Sequence, residues 1–185
     1  ATSMIYASLK TVARWYHPLT PICYLMFAAA GGLLAALAVL AILRLPITAA
    51  LAQAGIVLML SAWGVKLAWW RLAGMARHAG SVESATGLGH LGTVKPLMPP
   101  HTEENYLQHE MGFVVARKHA DKLRIFAIGL GGVLPIIMLL VAPDSAAALG
   151  FAVLSHVAGM FVERWLFFAE AKHVVTLYYE GVALA

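Results

Sequence analysis

The sequence predicts an all-α, polytopic transmembrane helix bundle, with four full spans and the end of a preceding one. Three observations carry this. The 185 residues are 61% hydrophobic and 12% charged, against about 45–50% and about 25% in a soluble domain. The apolar residues gather in four stretches, each long enough for a hydrocarbon core of about 30 Å, which takes roughly 20 helical residues. Short breaks join these stretches two by two, so they read as antiparallel hairpins. A mean hydropathy of +0.79 excludes a disordered tail, a nucleic-acid module and most soluble enzymes.

Residues 1–21 read as the end of a preceding helix, the apolar run ATSMIYASL, followed by a basic loop. Residues 22–70 form the first hairpin. Its spans cover 22–43 and 47–70, and only Arg44, Leu45 and Pro46 separate them. Residues 71–124 are a long polar segment. Its part 80–100 is rich in Gly and Pro and reads as irregular. Thr102 then offers an N-cap with Glu103 and Glu104 in the first turn, and the spacing predicts a helix running past Tyr106 and Val115 into the third span. Residues 125–168 form the second hairpin, with spans 125–142 and 146–168 joined by Pro143, Asp144 and Ser145. Residues 169–185 are a tail. All four spans must be helical, because a lipid-embedded backbone has to satisfy its own N–H and C=O groups.

Charge gives the sidedness. Of the 13 Lys and Arg residues, Arg44 alone falls at a hairpin tip. Lys10, Arg14, Arg71, Arg77, Lys95, Arg117, Lys118, Lys122, Arg124 and Lys172 lie at the opposite end, and Lys66 and Arg164 sit near span ends facing it. The positive-inside rule makes that end cytoplasmic; a docking face for an acidic partner would give the same asymmetry. Trp15, Trp69, Trp70, Trp165, Tyr178 and Tyr179 fall towards the same end, where interfacial aromatic anchors belong.

His156 falls near the middle of the fourth span. An intramembrane ionisable residue is a candidate proton relay, quinone ligand or haem ligand; the alternative is a neutral histidine hydrogen-bonded to a neighbouring helix. A bis-histidine haem needs a second imidazole at the same depth, and the other seven histidines lie in polar or interfacial segments. Glu163 and Glu170 follow at seven-residue intervals, about 10 Å apart on one helix face. Such a stripe could carry protons to or from the basic end, or Glu163 could pair with Lys66 or Arg164. The glycines at 31–32, 129 and 131–132 favour close helix packing. Gly87, Gly89 and Gly92 spell G-x-G-x-x-G without the strand or βαβ unit that a dinucleotide site needs. His101, Glu103, Glu104 and His109 read as solvated loop charge, not a metal site. Cys23 stands alone, with no CxxC spacing.

Several blocks carry a resemblance. MIYASLKTVARWYHPLTP at 4–21 resembles the loop after the fourth helix in membrane anchors of DMSO-reductase type, the DmsC family. TGLGHLGTVKPLMPPHTEENYL at 86–107, EMGFVVARKHADKLR at 110–124 and ERWLFFAEAKH at 163–173 are similar to the SoeC-like branch found with sulfite-oxidising complexes. Against the more distant DMSO-reductase anchors, only the Trp-Tyr/Pro segment and the Glu/Arg near the last helix correspond. Such anchors have eight transmembrane helices, so the resemblance implies that this sequence is the C-terminal half.

It further implies a bacterial inner-membrane subunit that is not itself catalytic. It would dock an iron–sulfur electron-transfer subunit, which serves a molybdopterin catalytic subunit, and exchange electrons with ubiquinone or menaquinone in anaerobic respiration. No haem and no nucleic acid are expected. The candidate quinone or proton-relay residues are Trp15, Tyr16, His17, His156 and Glu163; the first three could equally be an interfacial belt. The candidate docking residues are Lys10, Arg14, Arg117, Lys118, Lys122 and Arg124. Two alternatives remain open: an anchor that oxidises menaquinol, and half of a secondary transporter, which would show discontinuous helices around a midplane site.

Overall fold

A computed structural model describes residues 1–74, 81–94 and 114–171. Among them every regular element is helical: α1 (Thr2–Ala7), α2 (Leu19–Ile42), α3 (Ala49–Gly74), α4 (Val82–Thr86), α5 (Val114–Lys118), α6 (Ala120–Val141, with a π-helical turn at Gly129–Val133) and α7 (Ala146–Ala169). Helices α2, α3, α6 and α7 are each long and apolar enough to cross a membrane. The chain is a multi-pass membrane protein. At 1.5 Å per residue each of the four is about 33–39 Å long, more than a core of about 30 Å requires.

The hairpin tips show why the chain reverses where it does. In the first, Arg44 takes a left-handed φ of 54° and the Leu45 N–H reaches back to the Leu40 carbonyl; Pro46 then forbids continuation. In the second, Ser145 caps α7 by accepting from the Ala148 N–H at 3.3 Å. Helix α7 is the hub, packing along α6 within its own hairpin and along α2 across the two. The core between them is built from small, aliphatic and aromatic side chains, among them Ala30, Leu34, Leu37, Met59, Ala62, Trp63, Trp69, Ala152 and Phe167.

Three expectations need correction. The helix read as entering the third span without a break is interrupted at His119 (φ −111°, ψ 17°), so α5 and α6 are separate. The third span itself starts at Ala120, five residues before the apolar run, because a helix prolongs itself into polar sequence once nucleated. Within the stretch expected to be irregular, Ser81 and Ser84 make a reciprocal capping box for α4, which ends on Gly87 in a left-handed conformation (φ 69°). The proposed Thr102 cap and the His101, Glu103, Glu104 and His109 group lie outside the described residues, as do Tyr178 and Tyr179.

Candidate functional site

The hairpin pairing puts the N-terminus of α2, the C-terminus of α3, the start of α6 and the end of α7 at one end, the basic one. Two layers of charge are stacked there. The inner layer lies one to two turns inside the spans. Glu163, wholly buried on α7, is gripped by Lys66 from α3 and by its own neighbour Arg164. Both of the partners that the sequence offered for Glu163 are engaged at once. Lys66, 1% exposed, lies 3.8 Å from the centre of the Trp69 ring, with Trp70 at 5.1 Å and Phe167 at 5.6 Å. An aromatic face attracts an ammonium most where water is excluded, so this box supports a cation that burial alone would expel.

The outer layer lies at the helix ends. Glu170 receives Arg14 at 3.0 Å and Arg124, and Arg124 also reaches Asp121 at 2.8 Å. Arg117 donates from Nε to the Ala169 carbonyl at 2.8 Å and from Nη2 to the Ala171 carbonyl at 3.3 Å, closing the unsatisfied C-terminus of α7. Burial lowers the pKa of Arg14 from its ordinary value, against the pull of Glu170, and burial does the same to Arg117. Both stay charged, since a guanidinium holds its proton far above neutral pH. The segment between α1 and α2 is pinned on this layer. The Trp15 indole donates to the Phe167 carbonyl at 3.0 Å and stacks on the Phe167 ring. Thr20 accepts from the Trp69 indole at 3.0 Å and donates to the Trp15 carbonyl at 2.8 Å.

A third constellation lies at mid-span. Pro135 has no N–H, so the Gly131 carbonyl four residues earlier loses its helical donor, and in the π-turn the Leu134 N–H goes to the Gly129 carbonyl instead of that of Leu130. Both are taken by α7: Ser155 Oγ donates to the Leu130 carbonyl at 2.7 Å, and His156 Nδ1 to the Gly131 carbonyl at 2.6 Å. Here is the hydrogen bond to a neighbouring helix that the sequence allowed for His156. It fixes the proton on Nδ1 and leaves Nε2 as an acceptor turned towards Gly31 of α2, where a Cβ would stand only 3.0 Å away. The helices meet backbone to backbone: a Cβ on Gly159 would lie 2.3 Å from the Gly131 nitrogen, and Trp63 fills the notch at Gly131 and Gly132. The buried Trp63 indole N–H has no partner among the described residues.

The sequence candidates therefore divide. Glu163, Arg14, Arg124 and Trp15 converge on one end, whereas His156 stands apart at mid-span. Tyr16 is exposed, with Lys10 Nζ 5.9 Å from its ring. His17 accepts from the Leu19 N–H at 3.2 Å through Nδ1, which leaves Nε2 to carry the ring proton, a donor without a partner among the described residues. Arg14, Arg117 and Arg124 are committed to contacts within the chain, while Lys10, Lys118 and Lys122 are exposed. Sequence reasoning passed over Thr20, Ser155 and Gly159. The signal for Ser155 was available: a mid-span proline frees carbonyls, and residues 131 and 156 each lie ten positions from their hairpin tip. Among the described residues no three His, Cys, Asp or Glu side chains gather as a metal site.

A protein of Allochromatium vinosum, named as one of the subunits of a sulfite dehydrogenase, is 28% identical to this chain over 186 residues, covering 98% of the chain and 56% of that protein. The chain thus spans little more than half the length of this relative. No family model and no solved structure matches the chain.

Proposed function

We propose that this chain is part of the membrane subunit of a sulfite-oxidising complex, docking an iron–sulfur electron-transfer subunit on its basic end and passing electrons to quinone. The observation that carries the reading is the similarity to the sulfite dehydrogenase protein of Allochromatium vinosum along 98% of the chain. The layered basic end supports it. Exposed Lys10, Lys118 and Lys122 surround a platform held rigid by Arg14, Arg117 and Arg124, as a surface that receives an acidic partner requires.

Quinone reduction needs two electrons and two protons, and the acceptor must lie close to the electron donor. Tyr16 and His17 Nε2–H are donors at the correct end for a quinone carbonyl, with Trp15 as a fixed wall. Glu163 lies behind them, and His156 Nε2 is an acceptor one further stage into the membrane. Molybdopterin and the iron–sulfur clusters belong to the partner subunits in this reading, and the basic end faces the cytoplasm of a bacterial inner membrane. The test is sulfite-dependent reduction of a short-chain ubiquinone by membranes with and without the chain. Loss of that rate on deletion, restored by the wild-type gene, is the expected result. A complex that oxidises menaquinol with DMSO and ignores sulfite would overturn it in favour of a reductase anchor. Purified protein that brings down no iron–sulfur polypeptide would remove the anchor role altogether.

A further inference from the structure

The inner charge layer does not balance. It holds two cations, Lys66 and Arg164, and one carboxylate, Glu163. The next carboxylate on the same helix face, Glu170, is occupied by Arg14 and Arg124. An uncompensated charge at the edge of the hydrocarbon is costly unless an anion meets it. Lys66 cannot recruit one, because the rings of Trp69, Trp70 and Phe167 seal it off.

Arg164 can. Its side chain is 27% exposed. Its Nε is held by Glu163, its Cζ lies 4.4 Å from the Tyr24 ring centre and 4.9 Å from that of Phe167, and its Nη1 is buried without a partner among the described residues, which leaves Nη2 as the donor an outside anion can reach. The depth fits a headgroup. Residue 164 lies about 10 Å from the midpoint of α7 along the axis, and a side chain reaching towards the helix end brings its guanidinium to the boundary of a core of about 30 Å. Val157, Phe161 and Phe168, at helical spacing on the same face, are exposed apolar surface for an acyl chain.

We propose that Arg164, on the flank between α2 and α7, binds the phosphate of an anionic phospholipid, which supplies the negative charge that the Lys66–Glu163–Arg164 cluster lacks. The site is independent of the quinone reading. The whole protein, as wild type and as Arg164→Gln, is to be placed in nanodiscs of phosphatidylcholine with a minor share of phosphatidylglycerol, and the lipids that remain bound counted by native mass spectrometry. Wild type should retain phosphatidylglycerol preferentially. Arg164→Gln should lower that preference about five-fold, the worth of one cation at an anionic headgroup, and Arg164→Lys should keep part of it. The double substitution of Lys118 and Lys122 to Gln, at exposed cations elsewhere on the same end, should leave it unchanged. Equal retention of both lipids by wild type, an unaltered preference in Arg164→Gln, or an equal loss in the Lys118 and Lys122 variant would each overturn the site. If Arg164→Gln does not fold, the wild type decides alone: it must melt higher in discs containing phosphatidylglycerol than in phosphatidylcholine, and excess reduced quinone must not displace the bound lipid.

Discussion

Glu163 and Lys66 are unequal partners. Glu163 answers two cations, so Glu163→Gln leaves Lys66 without a counter-charge in a box closed to water and takes from Arg164 the carboxylate that holds its Nε. Breaking a buried pair from one side costs about 3–5 kcal/mol. Lys66→Met leaves the Glu163–Arg164 pair neutral and fills the aromatic box with an apolar chain, so it should cost little. Thermal melts of the two variants in one detergent test this: a Lys66→Met loss as large as that of Glu163→Gln would contradict the pairing. The sequence named Glu163 with Lys66 or Arg164 as its partner, since few charges occur in the spans. It could not show that Arg164 joins as well, because that depends on rotamer and on the position of Tyr24. His17 and His156 make a similar contrast. Both were visible as imidazoles, but only the structure assigns the donor nitrogen to one and the acceptor nitrogen to the other.

At the scale of the element, α6 and α7 form one device: Pro135 and the π-turn before it open two carbonyls, and Ser155 and His156 close them. Leaving a buried carbonyl unsatisfied costs about 1–3 kcal/mol. His156→Leu should therefore lower stability by about that much, and Pro135→Ala in the same chain should recover part of it by restoring the helical donor. Non-additive melting temperatures in the double-mutant cycle are the readout, and strict additivity would disprove the coupling. Gly159→Ala should be more severe than Gly31→Ala, because the first meets the Gly131 backbone at 2.3 Å and the second only a histidine ring at 3.0 Å. The spans and hairpins were legible from hydropathy and short breaks. The packing was not, because in helices apolar on every side, lipid-facing and core-facing residues look alike. Overlooking Gly159 follows from that, since the doublets drew attention and a single glycine did not.

Across the molecule, the basic-end cations among the described residues do different work. Arg14, Arg117 and Arg124 tie the segment between α1 and α2, α5, α6 and α7 together, and Lys10, Lys118 and Lys122 remain for a partner. Replacing those three lysines by Glu should weaken capture of the iron–sulfur subunit by an order of magnitude or more at low salt, with the difference shrinking as ionic strength rises. Pull-down yield at two salt concentrations measures it, and a salt-independent loss would point to misfolding. Arg14→Gln should instead lower the yield of intact protein at any salt. Sequence counting gathered these cations at one end of the spans but treated them as one class, because only folding distinguishes those that close helix ends.

The pairing of Lys66 with Glu163 has a consequence for biogenesis. The two lie in different hairpins, and about a hundred residues of synthesis separate them, roughly 5–20 s at about 5–20 residues per second. For that interval the first hairpin holds a lysine inside the membrane edge without its counter-ion, a burden of up to about 3 kcal/mol on the scale of translocon insertion. The first hairpin is thus an unfinished product with a chemical mark on it, which persists in any chain cut short before Glu163 and disappears when the second hairpin arrives. Membrane quality control that recognises exposed intramembrane charge would clear truncated chains and spare complete ones.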